Sequence, residues 1–232
     1  AVADDGLLDV SLIRPVHFWH ILFRFRYLFN RLCATVERIM DEVNEELQSS
    51  DFEPLAFELE FGADGQLPAI TIREENGTAR VVGKVDRVDG WLHDGKLYLR
   101  VVDYKTGGKE FKLKEVYCGL DCQMLLYLFT LERNAKRQFP GATAAGVEYL
   151  LADPAPKSVD RSELGDDADP APTYPMNGLL LDEESIYRAM DTKGTGEFVP
   201  LSFSAKTGKP LNAKSTLADT AKLGRIRDHL DG

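Results

Sequence analysis

The sequence predicts an α/β domain of strands flanked by helices, on three observations. Trp91-Leu92-His93-Asp94-Gly95-Lys96-Leu97-Tyr98 places an Asp-Gly pair between apolar alternations, a strong short-range hairpin signal. Two antiparallel strands are therefore expected over 81–92 and 97–105. After them, Val116, Leu120, Met124, Tyr127, Leu128 and Leu131 recur with a helical period, which predicts a helix over about 113–138. Gly146-Val-Glu-Tyr-Leu-Leu151 then reads as a further apolar strand, and strands alternating with helices make a layered α/β domain.

The remaining elements follow in order. An amphipathic helical stretch is expected over 18–49, with strands near 55–61, 68–73 and 79–91 ahead of the hairpin's second strand. Residues 153–175, rich in Pro, Asp and Ala, predict a mobile acidic loop. Asp182 is placed to cap a short helix, Glu183–Met190, and Thr216–Leu230 begins another near the end of the sequence. The 232 residues are expected to form a single domain, 1–232, with a helical part (18–49), a core (55–152), the loop (153–175) and a C-terminal part (176–232) cut short at Gly232.

Composition narrows the function classes. The formal net charge is −10, contrary to what phosphate binding favours, yet the charges are unevenly spread. Acid concentrates in 36–48 and 153–170, whereas Arg100, Lys105, Lys109, Lys112 and Lys114 cluster after the hairpin, so the three lysines 109, 112 and 114 are expected to contact DNA. The apolar run from His17 to Phe29 is broken by Arg24 and Arg26, so no membrane contact is expected. Cys33, Cys118 and Cys122 are an odd, sparse set that points to a reducing cytoplasm; Cys118 and Cys122, i and i+4 on the expected helix, read as buried free thiols rather than metal ligands, and Ala1-Val-Ala-Asp-Asp-Gly lacks the basic start of a leader. No phosphate-binding Gly-x-x-x-x-Gly-Lys-Ser/Thr loop occurs, so ATP hydrolysis is not expected of this piece.

The hairpin register carries the chemistry. With Asp94 and Gly95 as turn residues, Asp86 falls directly opposite Asp103, at the end of the apolar stripe Leu97, Leu99, Val101. Opposed like charges destabilise a sheet, so the pair calls for a cation or a shared proton. Mg²⁺, with Mn²⁺ as a substitute, suits one or two carboxylates while keeping waters and accepting phosphate oxygens. Lys105 points to the same side as Asp103, where an ammonium can assist an attacking water or contact a phosphoryl oxygen. Gln123 and Tyr127, an i, i+4 pair, present an amide and a phenol that suit a DNA backbone or a metal-bound water.

Three segments carry a family resemblance: Val82-Gly-Lys-Val-Asp86-Arg-Val-Asp89, Leu99-Arg-Val-Val-Asp103-Tyr-Lys-Thr-Gly107 and Tyr117-Cys-Gly-Leu-Asp-Cys-Gln-Met-Leu-Leu-Tyr127-Leu128. Together they resemble the RecB-type branch of the PD-(D/E)xK nuclease superfamily, and more closely the C-terminal nuclease domain of the AddB (RexB-like) family. The likeness extends upstream from Arg26-Tyr27 through Asp51–Gly62 and downstream through Gly178–Asp182 and Glu197–Leu201, so it covers about residues 25 to 230. It implies a restriction-endonuclease-like core, a central mixed sheet flanked by helices, with 55–152 as the catalytic part. It further implies Asp86, Asp103 and the Tyr104 backbone carbonyl as metal ligands, Lys105 assisting the water, and Gln123 and Tyr127 supporting the site. Glu58 is the implied acid of the first strand, with Glu60 on the same face as the alternative. The implied activity is exonucleolytic cutting of one strand at DNA ends during double-strand-break resection, beside an AddA-type helicase–nuclease partner. Two departures stand out. His17 and His20 lack the Gly-x-x-x-His context of that branch and read as packed or interfacial, and the cysteine spacing of an iron–sulfur cluster is missing, so no cluster is expected here. A catalytically incomplete DNA-binding or subunit-docking module, and another RecB-family exonuclease, are the alternative readings.

Overall fold

The computed structural model describes residues 15–62, 65–74, 77–107, 110–134, 138–152 and 176–231. The expected loop 153–175, Lys109, and the side chains of His17 and His20 lie outside the described residues. The chain divides into two compact units, residues 1–43 and 44–232. The first unit's described part belongs to helix α1 (Pro15–Gln48). From Ile21 to Met40 it exposes large apolar side chains, among them Phe23, Phe25, Leu28, Phe29 and Leu32. Phe25 and Phe29, one turn apart, stack with centroids 6.3 Å apart.

Among its described residues the second unit is built on a six-stranded mixed sheet in the order β1 (Glu53–Phe61), β4 (Gly83–His93), β5 (Lys96–Lys105), β6 (Ala142–Leu151), β7 (Met176–Leu181) and β8 (Leu217–Ala218). Strand β1 (Glu53–Phe61) lies at its edge, where Pro54 is tolerated beside a register shift between Pro54 and Ala56. Strands β2 (Ile70–Glu74) and β3 (Gly77–Val81) form a separate hairpin sheet. The single strand expected over 79–91 is thus two strands parted at Val82, β3 and β4 (Gly83–His93). No change of hydropathy marks that break, because Val81 and Val82 suit either sheet.

The hairpin of β4 and β5 (Lys96–Lys105) has the expected turn and register, with His93 opposite Lys96 and Arg87 opposite Val102. Asp94 (φ +49°) and Gly95 (φ +76°) both take the positive φ that a type I′ turn requires at its two central residues. From β5 the chain crosses over to β6 (Ala142–Leu151), which pairs parallel to it, as a helical crossover permits. The crossover is not the single expected helix. A short α2 (Leu113–Val116) ends in a turn, and α3 (Gln123–Asn134) starts only after Gly119 (φ +74°) and Asp121 (φ +57°) have redirected the backbone. Cys118 and Cys122 therefore flank a loop and do not share a helix. Cys118 is exposed and Cys122 half-buried, which corrects the reading of both as buried thiols, and Cys33 is half-buried.

Beyond β6, strand β7 (Met176–Leu181) pairs antiparallel to it. Helix α4 (Glu184–Met190) follows, with Glu183 at its N-cap and no side-chain cap bond, so Asp182 does not play the expected capping part. The last helix expected from 216 resolves into α5 (Ala213–Thr216), β8 (Leu217–Ala218) and α6 (Thr220–Asp231). Helix α3 packs across β5 and β6, and Val88, Leu99, Val101, Leu125, Leu128 and Val147 form part of the buried core. Burying each such side chain stabilises the fold by about 1.5–3 kcal/mol. Among the described residues no helix is long and apolar enough to cross a membrane.

Candidate active site

Strands β4 and β5 position the acidic pair. Their ladder runs to Arg87–Val102 in the register that sets Asp86 opposite Asp103 one step further. At that step the Tyr104 backbone N–H donates to Asp86 Oδ2 at 3.0 Å, so the side chain takes up a main-chain donor at the end of the ladder. Asp103 is only 5 % exposed, at the end of the stripe of Leu99 and Val101. Burial raises the pKa of its carboxyl, Lys105 opposes that shift, and the charges of Asp86 and Asp121 add to it. Lys105 Nζ forms an ion pair with Asp103 Oδ2 and lies 5.7 Å from the Tyr149 ring centroid. Asp86, Asp103 and Lys105 are thus brought together as the register argument requires.

Two further residues belong to this cluster and were not found in the sequence. Tyr149, opposite Asp103 on β6, points its hydroxyl at Asp121 Oδ1, 3.4 Å away. Burial, then the charges of Asp121 and Asp103, hold the Tyr149 phenol protonated, well above its usual range. Gly119 is the signal that was available for Asp121: it breaks the helical pattern two residues earlier and leaves Asp121 in a loop facing the sheet.

Gln123 and Tyr127 open helix α3 side by side, with Gln123 Nε2 donating to Tyr127 Oη at 3.0 Å. The Tyr127 ring stacks on Phe61 at 5.3 Å. A Cβ on Gly83 would meet the Tyr127 hydroxyl at 2.0 Å, so the glycine is what lets the phenol lie against the start of β4.

Glu58 falls across from Asp86, between the pairs Phe57–Arg87 and Leu59–Val85. Its backbone is left-handed (φ +53°), and its largely exposed carboxylate is taken by Lys84 in an ion pair. Glu60 is exposed, with its backbone N–H bonded to Gln66. Lys112 pairs with Glu110 at 2.9 Å and approaches Glu115 at 3.9 Å, which offsets its charge. Lys114 is exposed. Arg100, counted with the basic cluster in the sequence, is instead wholly buried in an ion network on the other face of the sheet.

As a metal site the pair offers hard carboxylate oxygens, one of them on a buried group whose negative charge is disfavoured, and this suits a hard divalent cation. Among the described residues no cluster of three or more His, Cys, Asp or Glu side chains is arranged to hold a metal. Asp86 and Asp103 would therefore hold the ion with water, main-chain or substrate oxygens as the other ligands, and Tyr104 lies between Asp103 and Lys105 on β5.

The chain is similar to the B-type subunit of the ATP-dependent helicase/deoxyribonuclease of Clostridium botulinum (strain Hall), with 32% identity over 89% of this chain. Its counterpart in Lysinibacillus sphaericus is also 32% identical, over 94% of the chain, and that in Clostridium tetani 29% identical over 89%. The chain covers only 18% to 20% of the length of these relatives. Residues 6–209 match the PD-(D/E)XK nuclease superfamily, and with its mixed sheet and flanking helices this chain belongs to that superfamily.

Proposed function

We propose that this chain is the Mg²⁺-dependent DNA nuclease domain of an AddB-type helicase–nuclease protein, cutting one strand at broken DNA ends in the cytoplasm during resection. The observation that carries the reading is the convergence of Asp86, Asp103 and Lys105 at the end of a buried apolar stripe. The names of the similar proteins supply the helicase and the deoxyribonuclease, and an AddA-type protein is the partner they fit. In this reading Asp86 and Asp103 hold the divalent ion, which when bound supplies Lewis-acid polarisation of the scissile phosphate. Lys105 stands beside them to orient the attacking water and offset charge on the phosphoryl oxygens. Gln123 and Tyr127 fix the neighbouring helix end, and Lys109, Lys112 and Lys114 would contact the DNA backbone.

The test has two arms. In the helicase–nuclease complex, Asp103→Ala or Lys105→Ala should lower cleavage by this domain on the order of 10²-fold or more while DNA binding persists. Cleavage near the unsubstituted rate in either variant would refute the assignment. Calorimetric titration of the chain with Mn²⁺ should show a site that Asp86→Ala removes. The pairing of Glu58 with Lys84 favours a second reading, a catalytically incomplete DNA-binding or docking module. That reading expects no Mn²⁺ heat and no loss of cleavage in either variant.

A further inference from the structure

The site's sheet has a second face, and one residue is tied to both. Tyr104 alternates with Asp103 and Lys105 along β5, so its ring lies on the face opposite theirs. There its hydroxyl accepts a 2.9 Å hydrogen bond from Arg87 Nη1, and the guanidinium carbon stands 5.8 Å from the ring centroid. Arg87 is itself held on three sides. Its Nη2 donates to both oxygens of Glu46, at 2.9 and 2.7 Å, and its Nε contacts Asp89 at 3.0 Å. Arg87, Asp89 and Glu46 are all fully buried, so this guanidinium is a fixed point in the fold. The backbone of the same Tyr104 donates its N–H to Asp86 Oδ2.

We propose that Arg87 and Tyr104 form a positioning pair for the metal-binding carboxylates, with the phenol anchored on one face of the sheet so that the main-chain N–H holds Asp86 on the other. The inference rests on the reading of Asp86 as a metal ligand. One oxygen of Asp86, Oδ2, is committed to the amide, and this orients the carboxylate and leaves Oδ1 as the oxygen for the ion. Asp103 and Lys105 share the benefit, because both flank the anchored residue. Partners that orient metal ligands typically change metal affinity or activity by about 10–100-fold when they are removed.

Tyr104→Phe is the test, since it deletes one oxygen and leaves Arg87 with Glu46 and Asp89. The variant should fold, as read by circular dichroism, with a melting temperature lower by a few degrees at most. Two readouts then decide. Mn²⁺ affinity by calorimetry should fall about tenfold. Hydrogen exchange of the Tyr104 amide by NMR should be slow in the unsubstituted protein and about tenfold faster in the variant. Glu148→Gln, whose side chain joins the same network through its hydrogen bond to Arg100, should change neither. Unchanged Mn²⁺ affinity or unchanged exchange in Tyr104→Phe overturns the positioning role. If Asp86→Ala itself leaves Mn²⁺ binding intact, the metal reading fails, while the exchange measurement still judges the link between Tyr104 and Asp86.

Discussion

At the scale of single residues, the site depends on close approaches as much as on charges. Gly83 is the clearest case, because a methyl group there would overlap the Tyr127 hydroxyl at 2.0 Å and crowd its ring carbons at 2.9 and 3.2 Å. Gly83→Ala should therefore cost about 1–3 kcal/mol, the scale of overpacking in a dense interior, measured by urea unfolding. In a Tyr127→Phe background the same change should cost less, since the worst overlap is gone and only ring contacts remain. Equal costs in the two backgrounds would show that Tyr127 is not what the glycine accommodates. Residue-level chemistry was readable in the sequence where the geometry is local. A two-residue turn fixes Asp86 against Asp103, and alternation along one strand fixes Lys105. Glu58 and Lys112 were not readable in the same way, because their partners Lys84 and Glu110 depend on a left-handed backbone in one case and on loop packing in the other.

At the scale of elements, β4, β5 and β6 carry charge on the face away from the site as well. Arg87 and Arg100 meet Glu46, Asp89 and Glu148, all fully buried, which makes two cations against three carboxylates. The sequence showed these charges on strands but not their burial, because Glu46 comes from the last turn of α1, about forty residues before the strand it covers. The excess acid falls on Glu148. Burial, opposed by Arg100 and reinforced by Glu46, pushes its carboxyl up to about 7 from the ordinary 4.5. One of its oxygens, Oε1, has no hydrogen-bond partner among the described residues. Below about pH 4.5 both the folded and unfolded chains keep this proton, and the group's contribution to stability is fully present. As pH rises towards 7 the unfolded chain loses the proton first, so stability falls, and the loss is complete above the folded value. Relative to Glu148→Gln, the unsubstituted protein should thus lose about 1–3 kcal/mol between pH 5 and pH 8. Chemical unfolding of both proteins at the two pH values measures it. A stability difference that does not change with pH would mean that Glu148 is ionised throughout.

At the scale of the whole molecule, a chain of net charge −10 would hold the proposed ion on two carboxylates, with few other fixed ligands among the described residues. The fold class was readable because strand and helix periods are local, whereas the split of the crossover at Gly119 and the pairing of β7 and β8 depend on tertiary contacts that no window of sequence contains. The same incompleteness bears on affinity. Two carboxylates with mostly water ligands bind Mg²⁺ weakly, on the order of millimolar, and substrate phosphates would complete the coordination. Linkage turns that into a measurable quantity: at ten times the dissociation constant a ligand that binds only the folded state stabilises it by about 1.4 kcal/mol. For a chain of this size that is roughly 3–6 °C in melting temperature. Mg²⁺ also screens the acidic surface, so the comparison must be made against sodium chloride at matched ionic strength. The shift expected for the unsubstituted protein should vanish in Asp103→Asn, which keeps the shape of the side chain but not its charge. An equal Mg²⁺-specific shift in that variant would place the bound ion on some other part of the acidic surface and remove Asp103 from the site.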